Sequence, residues 1–239
     1  MNEAPSESRR RVLLKISGEA LGGTGGLGLD PDSFMRVAGE VASVREVEIA
    51  IVVGAGNIAR GRDLDLPGMH RCQADEIGMA ATHVNAMTLA AAIRSSGRAA
   101  SVHSGLPASP SISAFSASRV RSLLSNGEVA VLSGGTGNPF FTTDSCAALR
   151  ALELDCDLFL KGTRVDGLYS ADPEIDPDAV RIERASFAEV LRDGLQVMDS
   201  TAFTLCSNNG LPVTIFDMTE PGKIALALLG SDIGSRIVP

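Results

Sequence analysis

Short apolar runs and stretches with helical spacing alternate along this chain. The apolar runs are typical of buried strands and lie at 11–16, 48–53, 99–103, 129–132, 157–161 and 213–216. Apolar residues recur with helical spacing at 34–41, 77–91, 119–124, 186–192, 199–208 and from 221 onward. This alternation predicts an α/β fold, a three-layer α/β/α sandwich around a mostly parallel sheet.

The organisation of the chain into domains follows from what separates these elements. No Ser/Gly-rich linker or block of charge divides them, so we expect a single domain over residues 11–239. Residues 1–10 are polar and charged, and we expect them to form a flexible N-terminal tail.

Four predicted strands end in loops that suit a phosphate group. These loops follow Ile16, Val53, Leu132 and Leu160. Since the carboxyl ends of parallel strands lie at one edge of a sheet, we expect the loops to meet at one crevice. The most informative loop is S-G-G-T-G-N-P-F-F-T-T-D at 133–144, which combines three glycines with hydroxyl and amide donors. An ordinary strand-to-helix connection seldom needs that combination, so a ligand site is favoured.

A second glycine-rich stretch, at 54–61, matches the dinucleotide-binding pattern G-x-G-x-x-A, with Asp75 about 20 residues farther on. In the dinucleotide-binding fold that acidic residue ends a second strand, whereas Asp75 here opens a helical pattern. The Rossmann interpretation therefore fails on context. What remains is a glycine turn with Arg60 nearby and an acid that could bind a sugar hydroxyl.

Composition excludes several classes of function. A net charge of −8 and a pI near 4.9 argue against a broad nucleic-acid surface, so an anion site must be local. Cys72, Cys146, Cys156 and Cys206 are too widely spaced for a zinc site or a disulfide framework, and we expect buried thiols and no protein-bound metal. Neither a signal peptide nor an apolar stretch of membrane-spanning length is found, so we expect a cytoplasmic protein without membrane contact.

The inventory of reactive side chains points to phosphoryl transfer. The loops carry lysines, arginines and acids, but no Ser–His or Cys–His pair plausible for acyl transfer. Phosphoryl transfer requires mainly positioned cations, backbone donors and an acid that orients them or a metal. No Walker A sequence is present, so a phosphate cradle would have to be built differently.

Five segments carry a resemblance to a known family. In chain order they read K-I-S-G-E-A-L, V-V-G-A-G-N-x-x-R-G, G-T-G-N-P-F-F-T-T-D, L-K-G-T-R-V-D-G-L-Y-x-x-D-P and V-M-D-x-T-A-F-T-L. Together they resemble the bacterial uridylate kinases of the amino-acid kinase family, and the third segment is highly specific to that enzyme. The resemblance implies transfer of the ATP γ-phosphate to UMP, giving ADP and UDP in pyrimidine nucleotide biosynthesis, with Mg²⁺ bound with ATP.

The resemblance also implies roles for individual residues. Those implied for catalysis are Lys15, Asp144, which would orient the lysines, and Lys161 as a second cation. Those implied for ATP are Lys15, Ile16, Ser17, Gly18, Gly56, Arg60, Thr163, Tyr169 and Asp172. Those implied for UMP are Ala55, Asp75, Thr136, Gly137, Asn138, Pro139, Phe140, Phe141, Thr142 and Thr143. Two alternatives stay open: Asp75 and Asp144 as simple helix caps, and Tyr169 as a core residue.

Assembly and regulation are implied only by the resemblance: a homohexamer built as a trimer of dimers, activated by GTP and inhibited by UTP. Family members commonly carry bulkier or charged residues where this chain has Ala90, Ala91 and Ser101. Arg94 and Arg98, which we place on the same helix, could compensate in part. We therefore expect GTP activation to be weak or absent. A further departure is Gly54-Ala55-Gly56, where three glycines are common; the backbone N–H is retained, so we expect binding to survive.

Two other functions compete with this interpretation. One is a sister kinase that phosphorylates a carboxylate or a carbamate. The other is a nucleotide-binding regulatory or storage protein on the same fold. Such a protein should lack one of Lys15, Asp144 or Asp172, and none of the three is missing.

Overall fold

Strands and helices alternate along the chain as the sequence pattern predicts. The computed structural model describes residues 9–64, 66–171, 175–176, 178–195 and 198–239. The strands are β1 (Arg11–Ile16), β2 (Glu48–Val53), β3 (Ala100–Ser104), β4 (Ser113–Ala114), β5 (Val129–Ser133), β6 (Leu158–Thr163), β7 (Leu168–Tyr169), β8 (Arg181–Ile182), β9 (Arg184–Ser186), β10 (Val213–Asp217) and β11 (Ser235–Val238). The α-helices are α1 (Pro31–Ser43), α2 (Arg71–Ser95), α3 (Ala117–Ser125), α4 (Thr143–Glu153), α5 (Phe187–Arg192), α6 (Ser200–Asn208) and α7 (Lys223–Leu229).

One large sheet carries the fold. Within the described residues it has nine strands in the order β4-β3-β5-β2-β1-β6-β10-β11-β9, and β7 pairs with β8 in a separate two-stranded sheet. Neighbours in the large sheet run parallel except β10 and β11. In register, Ile16 at the end of β1 lies between Val53 of β2 and Gly162 of β6. The carboxyl ends of the central strands therefore coincide.

Two apolar cores lie on opposite faces of this sheet. Side chains of successive strand residues point to opposite faces, and β1 shows the consequence. Val12 and Leu14 pack into the core beneath α1, α2 and α7, whereas Leu13 between them packs into the core beneath α3, α4 and α6. The predicted three-layer α/β/α sandwich around a mostly parallel sheet is confirmed.

Helix ends follow the capping rules, with one correction. The side chain of Asp30 accepts a hydrogen bond of 3.0 Å from Ser33 N and caps α1. The prediction that Asp75 opens the next helix is wrong by about one turn, because α2 begins at Arg71. Asp75 is therefore not a helix cap.

The sequence pattern did not predict β4, β7, β8, β9 and β11. Each contains only two to four residues, too few for an apolar period to emerge. They extend the large sheet on both sides or form the small second sheet, and the central strands of the large sheet are as predicted.

The start of the described chain is attached to the rest of the molecule. Residues 1–8 of the expected tail lie outside the described residues, whereas Arg9 and Arg10 donate hydrogen bonds to the carbonyls of Ser125 (2.8 Å) and Leu228 (2.7 Å). None of the described helices combines the length and apolar character needed to cross a bilayer.

The four thiols were all expected to be buried, and this is only partly correct. Cys146 and Cys206 are buried, whereas Cys72 and Cys156 are partly exposed, and all four are free. Burial raises the pKa of Cys146 to about 11 and that of Cys206 to about 12, which leaves both as inert thiols at neutral pH.

Candidate active site

A cleft of about 470 Å³ opens at the carboxyl ends of the central strands. The loops after β1, β2 and β5 and the first turns of α2 and α4 form its wall. Lys161 of β6 contacts Asp144 on this wall, and Arg164, in the loop after β6, lies 3.9 Å from Glu19. The expected convergence of the four loops is therefore confirmed. The wall residues are Lys15, Ser17, Gly18, Glu19, Gly54, Ala55, Gly56, Ala59, Arg60, Gly61, Arg71, Asp75, Gly78, Met79, Thr82, Gly135, Phe141, Thr142, Thr143, Asp144 and Asp199.

Two lysines meet one carboxylate at the floor of the cleft. Lys15 of β1 and Lys161 of β6 are direct partners in the parallel register, so their side chains emerge side by side. Lys15 Nζ lies 2.9 Å from Asp144 Oδ1, and Lys161 Nζ lies 2.7 Å from Asp144 Oδ2. The side chains are largely buried: Lys15 is 11% exposed, Lys161 15% and Asp144 14%. The sequence motifs thus place two ammonium groups on one acid.

The charge state of Asp144 follows from its surroundings. Burial acts to raise the pKa of this carboxyl, but Lys15 and Lys161 outweigh it and hold the pKa below its usual value. Asp144 is therefore ionised at neutral pH. Lys15 thus contacts one oxygen of the carboxylate as an ion pair, and Lys161 donates a hydrogen bond to the other.

The first turn of α4 determines where Asp144 points. Thr142 is the N-cap, and its Oγ1 accepts hydrogen bonds from Asp144 N (3.0 Å) and Ser145 N (3.3 Å). Asp144 itself lies inside the first turn, where the helix dipole favours a negative charge. The alternative that Asp144 serves only as a cap does not match this geometry.

Asp199 supports the same turn from the opposite side. Its Oδ2 accepts a hydrogen bond of 2.5 Å from Thr142 Oγ1, and its Oδ1 accepts one of 2.7 Å from Ser145 Oγ. The same carboxylate caps α6 by accepting from Ala202 N at 2.9 Å. Asp199 lies in the V-M-D-x-T-A-F-T-L segment, to which the sequence analysis gave no role. The sequence signal for its capping role is the position of Asp199 directly before a helical pattern.

The loops after β1 and β2 approach each other closely. A methyl group on Gly18 would lie 2.6 Å from Gly56 N, so only glycine permits this contact. Arg60 forms an ion pair with Glu19, whose second carboxylate oxygen lies 3.9 Å from Arg164. The backbone N–H groups of these loops and Arg60, paired with Glu19, line a concave wall suited to phosphate.

The chain as a whole is similar to known kinases. The model of the amino acid kinase family matches residues 10–217. The chain belongs to this family. It is 42% identical to the uridylate kinase of Pseudoalteromonas atlantica, over 99% of this chain and 97% of that protein. It is 48% identical to the uridylate kinase of Paramagnetospirillum magneticum, over 92% of this chain and 93% of that protein.

Solved structures agree with this membership. The UMP kinase of Bacillus anthracis has a TM-score of 0.91 and 32% identity, with 96% of both chains covered. The UMP kinase of Ureaplasma parvum also has a TM-score of 0.91 and 32% identity, covering 97% of this chain and 99% of that one. The fold is therefore that of the amino acid kinase family.

Part of the loop at 133–144 lines the cleft. Of the residues expected to bind UMP, five lie on the wall: Ala55, Asp75, Phe141, Thr142 and Thr143. Thr136, Gly137, Asn138, Pro139 and Phe140 do not lie on its described part. Thr136 Oγ1 instead donates to the carbonyl of Asn138 at 3.1 Å and accepts from its N–H, which stiffens the turn.

Asp75 already holds this loop in place. Its Oδ2 accepts a hydrogen bond of 2.9 Å from Phe140 N, and its Oδ1 accepts one of 2.8 Å from Arg71 Nε. Phe140 has a left-handed φ of 71°, a conformation that costs a non-glycine residue of order 1–2 kcal/mol. Because a carboxylate can accept up to about four hydrogen bonds, Asp75 retains capacity for a sugar hydroxyl.

The residues expected to bind ATP divide into three groups. Lys15, Ser17, Gly18, Gly56 and Arg60 lie on the cleft wall. The side chain of Ile16 is fully buried in the core beneath α1 and α2, so a side-chain contact with ATP is excluded. Asp172 lies outside the described residues.

Thr163 and Tyr169 lie beyond the described cleft wall. Thr163 ends β6, and its Oγ1 accepts a hydrogen bond of 3.3 Å from Val165 N. Tyr169 lies on β7, where its hydroxyl donates to Asp166 Oδ1 at 2.6 Å. This hydrogen bond raises the pKa of the Tyr169 hydroxyl, which stays protonated. Tyr169 is only partly buried, so it is not a core residue.

Arg98 cannot serve as an effector-binding cation, contrary to the sequence prediction. Helix α2 ends at Ser95, so Arg98 is not on it. Its side chain is buried, and its guanidinium donates to the carbonyls of Val41, Val44, Val47 and Gly127. Burial lowers the pKa of Arg98 to about 10, which still leaves it charged at neutral pH.

The other positions of the expected effector site differ in exposure. The side chain of Ala90 is fully buried in the core, so its small size serves packing. Ala91 is exposed, and Ser101 is partly exposed with its hydroxyl 2.9 Å from His103 Nε2. Arg94 is exposed and donates a hydrogen bond to the carbonyl of Ala100 at 2.8 Å.

Proposed function

We propose that this protein is a UMP kinase that transfers the γ-phosphoryl group of ATP to UMP and yields ADP and UDP. Relatives named uridylate kinase match nearly its whole length. The observation that carries the proposal is the cluster of Lys15, Lys161 and Asp144 at the floor of the cleft. Two fixed ammonium groups suit a phosphoryl group whose charge spreads over its oxygens in transfer.

The reaction needs no general base. A phosphate oxygen of UMP, already ionised at neutral pH, forms a new bond to the γ-phosphorus of ATP. The bond from that phosphorus to the β–γ bridging oxygen breaks, and its electron pair stays on the β-phosphate of ADP. Lys15 and Lys161 stabilise the charge on the transferred group, and Asp144 keeps both ammonium groups in place.

We assign the remaining phosphate contacts to residues of the cleft wall. Ser17, Gly18, Gly56 and Arg60 would bind the ATP phosphates, since they bring backbone N–H groups and a guanidinium to the cleft wall. Ala55, Asp75, Phe141, Thr142 and Thr143, which also line the cleft, would hold UMP. Thr136 and Asn138 would contribute through the stiffened turn that presents Phe141.

The adenosine of ATP would lie against Thr163 and Tyr169, and the resemblance adds Asp172 as a further contact. In this arrangement the hydrogen bond from Tyr169 to Asp166 fixes the tyrosine, whose ring offers a stacking surface.

Mg²⁺ would arrive with ATP. Among the described residues no group of three or more His, Cys, Asp or Glu side chains could hold a metal ion, so the protein offers no cage there. Mg²⁺ commonly binds through substrate phosphates, waters and one or two carboxylates, and Asp144 is an ionised carboxylate on the cleft wall. Asp144 would therefore be its protein partner, and the ion would neutralise charge on the β- and γ-phosphates.

Assembly, location and regulation extend this proposal. We infer a homohexamer with GTP and UTP as effectors from the family resemblance, and a cytoplasmic location because ATP and UMP are cytoplasmic metabolites. One structural feature supports self-association: Ile77, Val84 and Met87 are 42%, 44% and 41% exposed along α2. Exposed apolar side chains at this helical spacing form a face that a second subunit could cover.

A substrate panel tests the function. With ATP and Mg²⁺ present, release of ADP is measured with UMP, CMP, dUMP, acetylglutamate or carbamate as acceptor. We expect rapid turnover with UMP and little with the others. Comparable or faster turnover with acetylglutamate or carbamate would identify a sister kinase instead, and nucleotide binding without turnover would indicate a regulatory protein.

A further inference from the structure

Two buried amide side chains, Asn57 and Asn85, lie behind the phosphate-facing loop. We propose that they form a positioning pair that fixes the backbone of Ala55 and Gly56 for phosphate binding, an inference that rests on the proposed function. Asn57 lies in the loop after β2, whereas Asn85 is in the middle of α2. Both are almost completely inaccessible to solvent, at 3% and 0% exposure.

A single nitrogen of Asn85 holds both ends of the loop segment. Its Nδ2 donates one hydrogen bond to the carbonyl of Gly54 at 2.8 Å and another to Asn57 Oδ1 at 2.7 Å. Ala55 and Gly56 lie between these two anchor points, and both belong to the cleft wall. The short segment that faces the substrate is therefore fixed to the central helix at its two ends.

The amide of Asn57 extends the connection to a third segment. Its Nδ2 donates to Asn85 Oδ1 at 3.1 Å and to the carbonyl of Gly28 at 2.7 Å. Gly28 N in turn donates to the backbone carbonyl of Asn57 at 2.8 Å. The carbonyls of Gly54 and Gly28 can only accept, which fixes the orientation of both amides, and every N–H and oxygen of the pair has a partner.

The loop after β1 packs closely against the amide pair. A methyl group on Gly18 would lie 2.6 Å from Asn57 Oδ1 as well as 2.6 Å from Gly56 N. The amide pair, the Ala55–Gly56 backbone and the loop after β1 thus form one close-packed unit. A displacement of Asn57 would move the N–H groups that we assign to phosphate.

The two asparagines act through other residues. Neither belongs to the described part of the cleft wall, so neither is a catalytic residue in the proposed reaction. A purely structural role would be served as well by a pair of apolar side chains of similar shape, since replacing both hydrogen-bonding partners can be nearly neutral for stability. Holding the carbonyl of Gly54 requires an N–H donor, which an amide side chain supplies and an apolar one does not.

The test compares Asn85→Asp with a matched destabilised control. Asn85→Asp keeps the shape but replaces the NH₂ group that donates both hydrogen bonds with a carboxylate oxygen, which repels the carbonyl of Gly54 and Asn57 Oδ1. Leu124→Ala is the control, because Leu124 is fully buried in the core on the opposite face of the sheet. We expect both variants to melt at lower temperature than the wild type. With ATP and UMP, we expect about 10²-fold lower kcat for Asn85→Asp and wild-type kcat for Leu124→Ala.

Hydrogen exchange of residues 54–61 provides a readout that does not depend on the reaction. We expect faster exchange there in Asn85→Asp than in Leu124→Ala at matched global stability. Wild-type kcat together with wild-type exchange in a folded Asn85→Asp would overturn the proposal. If the wild type itself does not phosphorylate UMP, the proposed function fails, whereas the exchange result still decides whether the pair fixes the loop.

Asn57→Ala is the second variant, in case Asn85→Asp does not fold. It keeps Asn85 bound to Gly54 but frees the other end of the segment, so we expect an intermediate loss of kcat. The double variant Asn57→Ala with Asn85→Ala should lose no more kcat than the more impaired of its two single variants, because the residues act as a unit. Additive losses, or a failure of all these variants to fold, would reduce the pair to a structural element.

Discussion

The substitution Asp144→Asn tests the charge cluster that carries the proposed function. It removes the negative charge but keeps the shape of the side chain, so Lys15 and Lys161 lose the carboxylate that both contact. Two ammonium groups then face each other in a partly buried site. We expect a loss of turnover together with a moderate loss of stability.

The magnitude follows from the geometry. At separations of 2.9 and 2.7 Å and an effective dielectric constant of about 20, each ion pair is attractive by about 6 kcal/mol before desolvation. Desolvation offsets much of this attraction, and removal of one partner of a buried pair typically costs about 3–5 kcal/mol. Because the three side chains retain some solvent contact, we expect about 3 kcal/mol. For a chain of this length that corresponds to a decrease in Tm of about 6–12 °C.

Thermal melts and steady-state kinetics measure the two effects separately. We expect kcat of Asp144→Asn to fall of order 10²-fold while the circular dichroism spectrum stays that of a folded protein. Asp30→Asn is a matched control, because Asp30 caps α1 outside the cleft and asparagine is an equally good cap. The control should keep the wild-type kcat. A folded Asp144→Asn with kcat within a few fold of wild type would refute this reasoning, and loss of activity through unfolding alone would make Asp144 a structural residue.

The pH dependence of stability provides an independent check. The lysines hold the pKa of Asp144 below its usual value, so its contribution to stability is present above the pKa of the unfolded chain. It is lost as the pH falls through the folded pKa. The difference in Tm between wild type and Asp144→Asn should therefore be constant near neutral pH and shrink in acid.

Three further predictions concern Lys15, the choice between uracil and cytosine, and the effectors GTP and UTP. Lys15→Ala should lower kcat of order 10²-fold or more with a smaller rise in KM for UMP, and kcat within a few fold would exclude a catalytic role. UMP should be preferred to CMP, because each unpaired polar group costs about 1–3 kcal/mol, and equal kcat/KM values would contradict this. Millimolar GTP at saturating ATP should raise the velocity little, because Arg98 is buried and leaves Arg94 as the one expected effector-binding arginine that is exposed. UTP should inhibit. A large rise in velocity with GTP would show that other residues form the effector site.

The centre of the fold could be predicted because its signals are local and repeated. Strands β1 and β2 have their predicted bounds, since six-residue apolar runs between turn signals leave little ambiguity. The convergence of the loops follows from the parallel strand arrangement alone. By contrast, β11 has four residues, lies between β10 and the edge strand β9, and depends on pairing with both, which no local pattern shows.

The candidate site was predictable where a motif carries the chemistry itself. Lys15, Asp144 and Lys161 lie in motifs, and their contact follows from the register of β1 and β6. The supporting contacts were not predictable. Asp199 and Asn85 act on segments 57 and 31 residues away in the chain, at Thr142 and Gly54, so only the tertiary structure brings them together.

For Arg98 the sequence suggested a functional role that the structure contradicts. An arginine shortly after a helical pattern in the sequence suggests an exposed cation, since arginine is seldom buried. Here four backbone carbonyls at the ends of neighbouring segments provide acceptors and compensate for its burial. The sequence carries no signal for such a convergence of carbonyls.

The most direct test of the central claim follows the transferred phosphorus itself. ATP labelled in its γ-phosphoryl group is incubated with the purified protein, Mg²⁺ and UMP, and the products are separated by chromatography. The proposed reaction predicts that the label appears in the β-phosphate of UDP at the same rate at which ADP forms. Label released as inorganic phosphate, or ADP formation independent of UMP, would contradict the assignment of UMP as the phosphoryl acceptor.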